Sequence, residues 1–162
     1  MRRGIGMIEL MMVLGIIALA TMLVLPSWGS DSLARADAAA RMLRSDIEYA
    51  QVHSIANPDE PVGVVLAQDG TGYWIARNDA PDTPILRTDT GDPYRVVFGK
   101  GRAAFSAGVS ATADQLPGGM LLFDALGGLT NPSSDPSYRL SCDENDVHMT
   151  VRAGTGFIRI HH

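Results

Sequence analysis

The sequence begins with a long apolar run that carries one acidic residue. Residues Leu10 to Leu25 form sixteen consecutive uncharged positions, and extending the run back to Ile5 gives 21 residues interrupted only by Glu9. A helix of this length spans about 31 Å, which matches the roughly 30 Å hydrocarbon core of a bilayer. The pattern predicts a transmembrane and assembly helix over residues 5–26, ending at Pro26, whose ring removes an amide donor.

A second helical pattern follows the apolar run. Small and aliphatic residues recur at spacings of three and four, as expected for the buried stripe of an amphipathic helix. These positions are Leu33, Ala36, Ala40, Leu43, Ile47 and Ala50. Asn57-Pro58 predicts the end of the helix, because a residue before proline avoids the helical conformation. We therefore expect one long, kinked helix from residue 5 to about 56, amphipathic over residues 27–56.

From Pro61 onward, short apolar runs alternate with turn residues, which is typical of β-strands. The candidate strands are Val62–Leu66, Tyr73–Ala76, a short one near Ile85-Leu86, Tyr94–Phe98, Ala103–Phe105, Met120–Phe123, Tyr138–Cys142, Val147–Val151 and Phe157–Ile160. The rest of residues 78–93 reads as a loop. We expect an α+β fold in which the long N-terminal helix packs on an antiparallel β-sheet of about seven strands, within a domain of residues 57–162.

Charge and composition narrow the possible partners. The chain has 13 basic and 18 acidic residues, a formal net charge of −5. From Tyr94 onward the chain has six basic and six acidic residues, so this part has no net charge. This charge balance argues against extensive nucleic-acid binding. A local patch of Arg139, Arg152 and Arg159 beside His148 keeps a nucleic-acid partner open. The single cysteine, Cys142, excludes an intramolecular disulfide framework and a cysteine-cluster metal site.

The N-terminal apolar run has three possible interpretations, and Glu9 helps to distinguish them. For a secretory signal peptide, Ala18-Leu19-Ala20 has the cleavage-site form, but the apolar run continues beyond it. A plain membrane anchor leaves Glu9 unexplained, since a carboxylate in lipid costs roughly 2.5–3.5 kcal/mol. Cleavage after Gly4 would instead give Ile5 a new α-amine four residues before Glu9. That amine, or the amine of a neighbouring subunit, supplies the cation that a buried carboxylate needs.

This segment resembles the leader of class III, type IV prepilin-like pilins and pseudopilins. The matching residues are Arg2-Arg3-Gly4, then Ile5-Gly6-Met7-Ile8-Glu9-Leu10, and the apolar run ending at Pro26. The resemblance implies a leader of residues 1–4, cleavage between Gly4 and Ile5 by a prepilin peptidase, N-methylation of Ile5, and Glu9 as the assembly carboxylate. The chain departs from the family at Ile5, usually Phe, and at Gly6, usually Thr or Ser.

The C-terminal half resembles the pseudopilin domain of the GspH/FimT family. The residues that carry this resemblance are Leu122–Gly127, Tyr138–Leu140, Met149–Val151 and Gly156–Ile160, with Leu43–Gln51 in the helix. It implies a minor pseudopilin of a type II secretion system that is assembled into a periplasmic pseudopilus and supports protein export. The implied partners are other pseudopilins or pilins, the prepilin peptidase, an inner-membrane assembly platform, and the lipid bilayer through residues 5–26.

The resemblance also implies a location. The chain is expected to cross a bacterial inner membrane once, with its N-terminus in the cytoplasm and its C-terminal domain in the periplasm, from where it can enter the pseudopilus. One alternative is a FimT-like minor pilin of a type IV pilus or DNA-uptake machine. Another is a membrane-tethered enzyme or receptor of unknown substrate.

Catalytic and metal-binding motifs are absent from the sequence. Gly-x-Ser-x-Gly, His-Glu-x-x-His and P-loop patterns do not occur, so we expect no enzyme activity, cofactor, metal site or small-molecule substrate. A turn over Asp143–Asp146, and the aspartates Asp79, Asp82, Asp89 and Asp92, offer oxygen ligands suited to Ca²⁺. They lack the spacing of a known calcium loop. His161 and His162 could bind a metal with His148, although a frayed terminus is the favoured interpretation.

Overall fold

A computed structural model describes residues 6–24, 30–130 and 134–161 of the chain. The chain divides into two compact units, Met1–Ser30 and Asp31–His162. In the first unit, helix α1 covers Met7–Val24. The carbonyl of Gly6 accepts hydrogen bonds from the amides of Glu9 and Leu10, at 2.9 and 3.2 Å, and these bonds close the first turn of the helix.

Within the described residues, no helix combines the length and apolarity that crossing a bilayer requires. Helix α1 has 18 residues, which corresponds to about 27 Å at 1.5 Å per residue. The length predicted from the sequence, 21 residues, counted from Ile5 and assumed a helix end at Pro26. Ile5 and Pro26 both lie outside the described residues. The predicted transmembrane segment over 5–26 and the single-pass inner-membrane location are therefore wrong.

The second unit contains one long helix and nine described strands. Helix α2 covers Ser30–Ala56. The strands are β1 Val62–Leu66, β2 Gly72–Arg77, β3 Ala80–Pro84, β4 Arg95–Val97, β5 Val109–Asp114, β6 Met120–Leu122, β7 Ser137–Cys142, β8 Asn145–Val151 and β9 Ile158–His161. Short 3-10 helices cover Gly101–Ser106 and Pro117–Gly119.

These strands form two antiparallel sheets. The first has the order β3-β2-β1-β6, and β4 also pairs with β2. The second has the order β5-β7-β8-β9. The turn between β1 and β2 reaches the second sheet, because the Ala111 amide donates to the Gly70 carbonyl at 2.9 Å. An added Cβ at Gly70 would lie 2.7 Å from the Ala111 carbonyl oxygen, so this contact depends on glycine.

Helix α2 buries its small and aliphatic stripe in the core of the second unit. Ala36, Ala40, Leu43, Ile47 and Ala50 are each 0% exposed, as the periodicity predicts, whereas Leu33 is 39% exposed. The same core cluster contains inward-facing residues of both sheets. The alanines leave room for larger core residues, such as Tyr73, Phe123 and Tyr138, which are almost completely buried.

The predicted fold, one long helix on a single sheet of about seven strands, is wrong. The described residues contain the two α-helices Met7–Val24 and Ser30–Ala56, and the strands form two sheets. Strand β5 is missing from the sequence prediction because its inward positions include Ala111 and Ala113, whose small side chains give a weak alternation signal. The prediction of a loop before Ile85 is wrong as well, because Ala80–Pro84 forms strand β3. This strand contains two prolines and lies at a sheet edge, where proline is tolerated.

The predicted strand over Ala103–Phe105 is also wrong, because these residues belong to a 3-10 helix. Gly99 and Gly101, just before and at its start, have φ of +78° and +53°, values that glycine adopts readily and other residues resist. The Ser106 hydroxyl donates to the Ala103 carbonyl at 2.7 Å inside this turn. Local hydrogen bonding therefore overrides the apolar run that suggested a strand.

Candidate functional site

The predicted processing residues, Gly4 and Ile5, lie outside the described residues. Glu9 is described and exposed in the first turn of α1. A carboxylate there interacts favourably with the positive end of the helix dipole, by about 0.3–1 kcal/mol. This local role alone does not require a neighbouring subunit, so an experiment has to distinguish it from a role in assembly.

Helix α1 presents apolar side chains to the outside on every face. Met7 and Ile8, at the start of the helix, are each 79% exposed. The exposed apolar residues are Met7, Ile8, Leu10, Met11, Met12, Val13, Leu14, Ile16 and Ile17. We call this set the α1 apolar surface. Their positions do not form a single stripe along the helix, so apolar side chains point outward all around it.

In the second unit, the acid Asp46 is buried at 2% exposure between α2 and the first sheet. Its Oδ2 accepts a hydrogen bond from the Tyr73 hydroxyl at 2.6 Å, and its Oδ1 accepts one from the Tyr94 hydroxyl at 3.0 Å. The guanidinium of Arg102 donates to both oxygens, at 2.5 and 2.7 Å. A buried carboxylate is tolerated when it is paired and hydrogen-bonded in this way.

The groups around Asp46 have shifted pKa values. Burial, and then the charge of Asp46, raise the pKa of Tyr73. Burial is also the main cause that raises the pKa of Tyr94. Burial opposes the charge on Arg102, but hydrogen bonds to Tyr94 and Asp46 outweigh it and raise the Arg102 pKa. The tyrosines therefore stay neutral and Arg102 stays charged near neutral pH, so these groups connect α2 to the first sheet as hydrogen-bond and ion-pair partners of Asp46.

Gln51 connects α2 to two turns of the second unit. Its amide nitrogen donates to the Gly127 carbonyl at 2.7 Å and to the Thr155 carbonyl at 3.0 Å. Gly127 and Gly156 have φ of +84° and +65°. These glycines lie in the stretches Leu122–Gly127 and Gly156–Ile160, and the structure brings both stretches to one side chain of α2.

The exposed side of the second sheet, which we call the outer face, carries polar side chains. Strand alternation puts Arg139, His148, Arg159 and His161 on this face, between buried residues of β7, β8 and β9. The register aligns Arg139 with His148 and His148 with His161. With Arg152, which is also exposed, the outer face brings together the basic residues that the sequence singled out.

The other sequence candidates have ordinary structural roles. Cys142 is buried, and burial raises the pKa of its thiol, which disfavours a reactive thiolate. The indole of Trp74 donates to the Pro81 carbonyl at 2.7 Å and so supports the β2–β3 turn. Asp89 is paired with Arg87, and Asp146 lies 4.0 Å from Arg139. In the described part of the chain, no three or more His, Cys, Asp or Glu side chains cluster as metal ligands.

Neither Asp46 nor Gln51 was singled out from the sequence, although α2 is bonded to other parts of the second unit through both residues. Asp46 lies three residues after Leu43 and four before Ala50, so it occupies a core-facing helical position. An acid in that position is the signal that could have revealed a buried pair. Gln51 gives no such signal, because its partners are backbone carbonyls about 76 and 104 residues away.

Comparison of the chain with protein-family models, curated proteins and solved structures finds no match. The resemblance to pseudopilins therefore rests on the residues quoted for it in the sequence. The geometric features that bear on function are the α1 apolar surface with Glu9 and the polar outer face of the second sheet.

Proposed function

We propose that this chain is a minor pseudopilin-like subunit of a type II secretion system, which joins other subunits through helix α1 and supports protein export. The observation that carries the proposal is the α1 apolar surface, nine exposed apolar side chains around one helix that holds a single acid in its first turn. The leader pattern Arg2-Arg3-Gly4 before this helix gives independent support.

The physical argument is that such a surface is stable only when it is covered. Burying each large apolar side chain contributes about 1.5–3 kcal/mol. Exposed apolar surface of this extent usually marks an interaction site. Helices of similar subunits, packed alongside α1, would cover all of its faces at once, which a single flat partner surface cannot do.

Glu9 then sets the register between neighbouring subunits. Once α1 is covered, the Glu9 carboxylate is removed from water and needs a cation. Cleavage after Gly4 by a prepilin peptidase would create an α-amine at Ile5, at the same end of a neighbouring helix. Pairing of this amine with Glu9 would fix how far one helix is shifted along the next.

The proposal is tested by co-expressing the chain with a prepilin peptidase and a major pseudopilin. Mass spectrometry should show that residues 1–4 are lost and that Ile5 carries a methyl group. Cross-linking should then recover the processed chain with the major subunit. Glu9→Leu should leave cleavage intact but reduce this recovery by about tenfold or more, because it leaves the amine unpaired.

Glu48→Leu is the matched control, because Glu48 is an exposed acid on α2. It should leave both cleavage and recovery unchanged. An intact Arg2-Arg3 leader on the mature protein would exclude the proposed processing. Recovery of Glu9→Leu at the wild-type level would mean that Glu9 acts only on the dipole of its own helix.

A FimT-like role in DNA uptake is the second candidate, favoured by the outer face. Arg152, Arg159 and His161 line one shallow cavity there, of about 220 Å³, together with Asp135, which lies 3.8 Å from Arg152 and offsets part of its charge. Phosphate contacts make binding fall steeply with salt concentration. Electrophoretic mobility shifts with the full-length chain should then show DNA binding that Arg159→Gln weakens. Absence of binding at low salt would remove this candidate and leave the secretion proposal unaffected.

A further inference from the structure

Two histidines face each other across the last pair of strands. The register of β8 and β9 sets His148 directly opposite His161. Val147, Met149 and Ile158 are buried, so alternation places both histidines on the outer face. Both residues are exposed, and their imidazoles are therefore on the same side of the sheet and open to solvent.

The spacing of this pair suits a shared metal ion. The β8–β9 hairpin closes with the Arg152 amide donating to the Phe157 carbonyl at 2.8 Å. Directly opposite residues alternate between hydrogen-bonded and non-hydrogen-bonded pairs. His148 and His161 lie four residues from Arg152 and Phe157 along their strands, an even number, so they also form a hydrogen-bonded pair. The Cβ atoms of opposite residues lie about 4.5–5.5 Å apart. From that separation two imidazole nitrogens can each reach one ion at about 2.0–2.1 Å.

Neither imidazole is committed to another contact. Among the described residues, no side-chain hydrogen bond, ion pair or ring contact involves the imidazole of His148 or of His161. The charged neighbours on this face include Arg139, opposite His148, and Arg159, two residues before His161. Arg152 and Asp135, which lie 3.8 Å apart, line the same cavity as His161. The charge of Arg139 is partly offset by Asp146, 4.0 Å away. Nearby arginines disfavour ions held by charge alone and favour ions that form strong bonds to neutral nitrogen.

We propose that His148 and His161 form a two-imidazole site for a first-row divalent ion of the Cu²⁺, Ni²⁺ and Zn²⁺ group. Copper should bind most tightly, following the general order of these ions at nitrogen ligands. Two protein ligands leave several coordination positions for water or for groups of another molecule. The ion is therefore exchangeable, and Mg²⁺ and Ca²⁺, which require oxygen ligands, should not compete. This inference does not depend on the proposed role in secretion.

The test is isothermal titration of the purified full-length chain with CuCl₂, NiCl₂ or ZnCl₂ at about pH 8, where protons compete little with metal ions for nitrogen ligands. His148→Ala and His161→Ala should each weaken copper binding by about tenfold or more. Electron paramagnetic resonance of the wild-type copper complex should show coupling to two nitrogens, and a single nitrogen in each variant. Circular dichroism checks that the variants stay folded, as expected for exposed positions.

His162→Ala is the matched control, because His162 follows His161 directly in the chain. It should leave copper affinity unchanged. If His162→Ala abolishes binding while His148→Ala has no effect, the ligands are consecutive histidines and the cross-strand site is wrong. Absence of copper binding to the wild type, or binding that His53→Ala removes, would equally overturn it.

Discussion

Gln51 shows how one residue can determine the position of a long helix. Its side chain donates to the carbonyls of Gly127 and Thr155, and the turn at Gly156 approaches so closely that a side chain at that position would collide. An added Cβ at Gly156 would lie 2.3 Å from the Gln51 amide nitrogen and 2.5 Å from the Gly127 carbonyl oxygen. The glycine in this turn is needed both for its positive φ and for the space around it.

We therefore expect Gly156→Ala to destabilise the second unit by about 2 kcal/mol or more, because a left-handed backbone alone costs about 1–3 kcal/mol for other residues. Urea denaturation measures this change. Gly154→Ala is the control from the same turn, since no heavy atom lies within 4 Å of its added Cβ, and its cost should stay within about 0.5 kcal/mol. Equal stability of the two variants would contradict the role given to Gly156.

At the scale of elements, helix α2 and the first sheet are joined through Asp46. The acid comes from α2, Tyr73 from β2, Tyr94 from the residue before β4, and Arg102 from a 3-10 helix. Arg102 also lies over the Tyr94 ring, at 5.3 Å from its centroid. Four segments therefore depend on one carboxylate, and losing its charge leaves Arg102 without its partner.

Asp46→Asn should lower the free energy of unfolding by about 3 kcal/mol, because breaking a buried pair on one side leaves an uncompensated charge. Breaking a buried ion pair usually costs about 3–5 kcal/mol. We expect the lower value because the Arg102 side chain is 31% exposed, so water partly solvates the charge that is left unpaired. Asp114→Asn, at an exposed position of β5, should change stability little. In the double variant with Arg102→Gln the loss should be less than additive. Strict additivity in urea denaturation would show that the two residues are independent.

At the scale of the whole molecule, the second unit has a continuous core from α2 through both sheets. The core includes the hydroxyl of Tyr138, which is buried and has no hydrogen-bond partner among the described residues. Burial raises the pKa of Tyr138. The folded protein therefore keeps this proton at a pH where an unfolded chain, with a tyrosine pKa of about 10, releases it.

The sign of the resulting pH dependence follows directly. Below about pH 10 both states hold the proton, and the free energy of unfolding is unaffected. At higher pH the unfolded state binds fewer protons, so stability falls by about 1.4 kcal/mol per pH unit for each such tyrosine. Tyr138→Phe should leave stability at pH 8 nearly unchanged and make the decline between pH 10 and 11 shallower. An unchanged decline in urea denaturation across this range would contradict the burial argument.

The helical stripe of α2 and most strands could be predicted from the sequence because their periodicity reflects local burial. The division into two sheets could not, since it depends on the small inward residues of β5 and on a long-range contact between Gly70 and Ala111. The Asp46 network and the pairing of His148 with His161 also require distant segments to meet. For Gly4, Ile5 and Glu9 the sequence pattern remains the basis of the prediction.

The separation between contacting residues has a consequence for synthesis on the ribosome. Ser32 bonds to Asn145, 113 residues later, and Gln51 bonds to Thr155, 104 residues later. Folding of the second unit therefore cannot finish until nearly all of these residues have left the exit tunnel, and such distant contacts slow folding. Helix α1 is made before the second unit, so its apolar side chains are available to a chaperone or assembly partner while the second unit is still being synthesised.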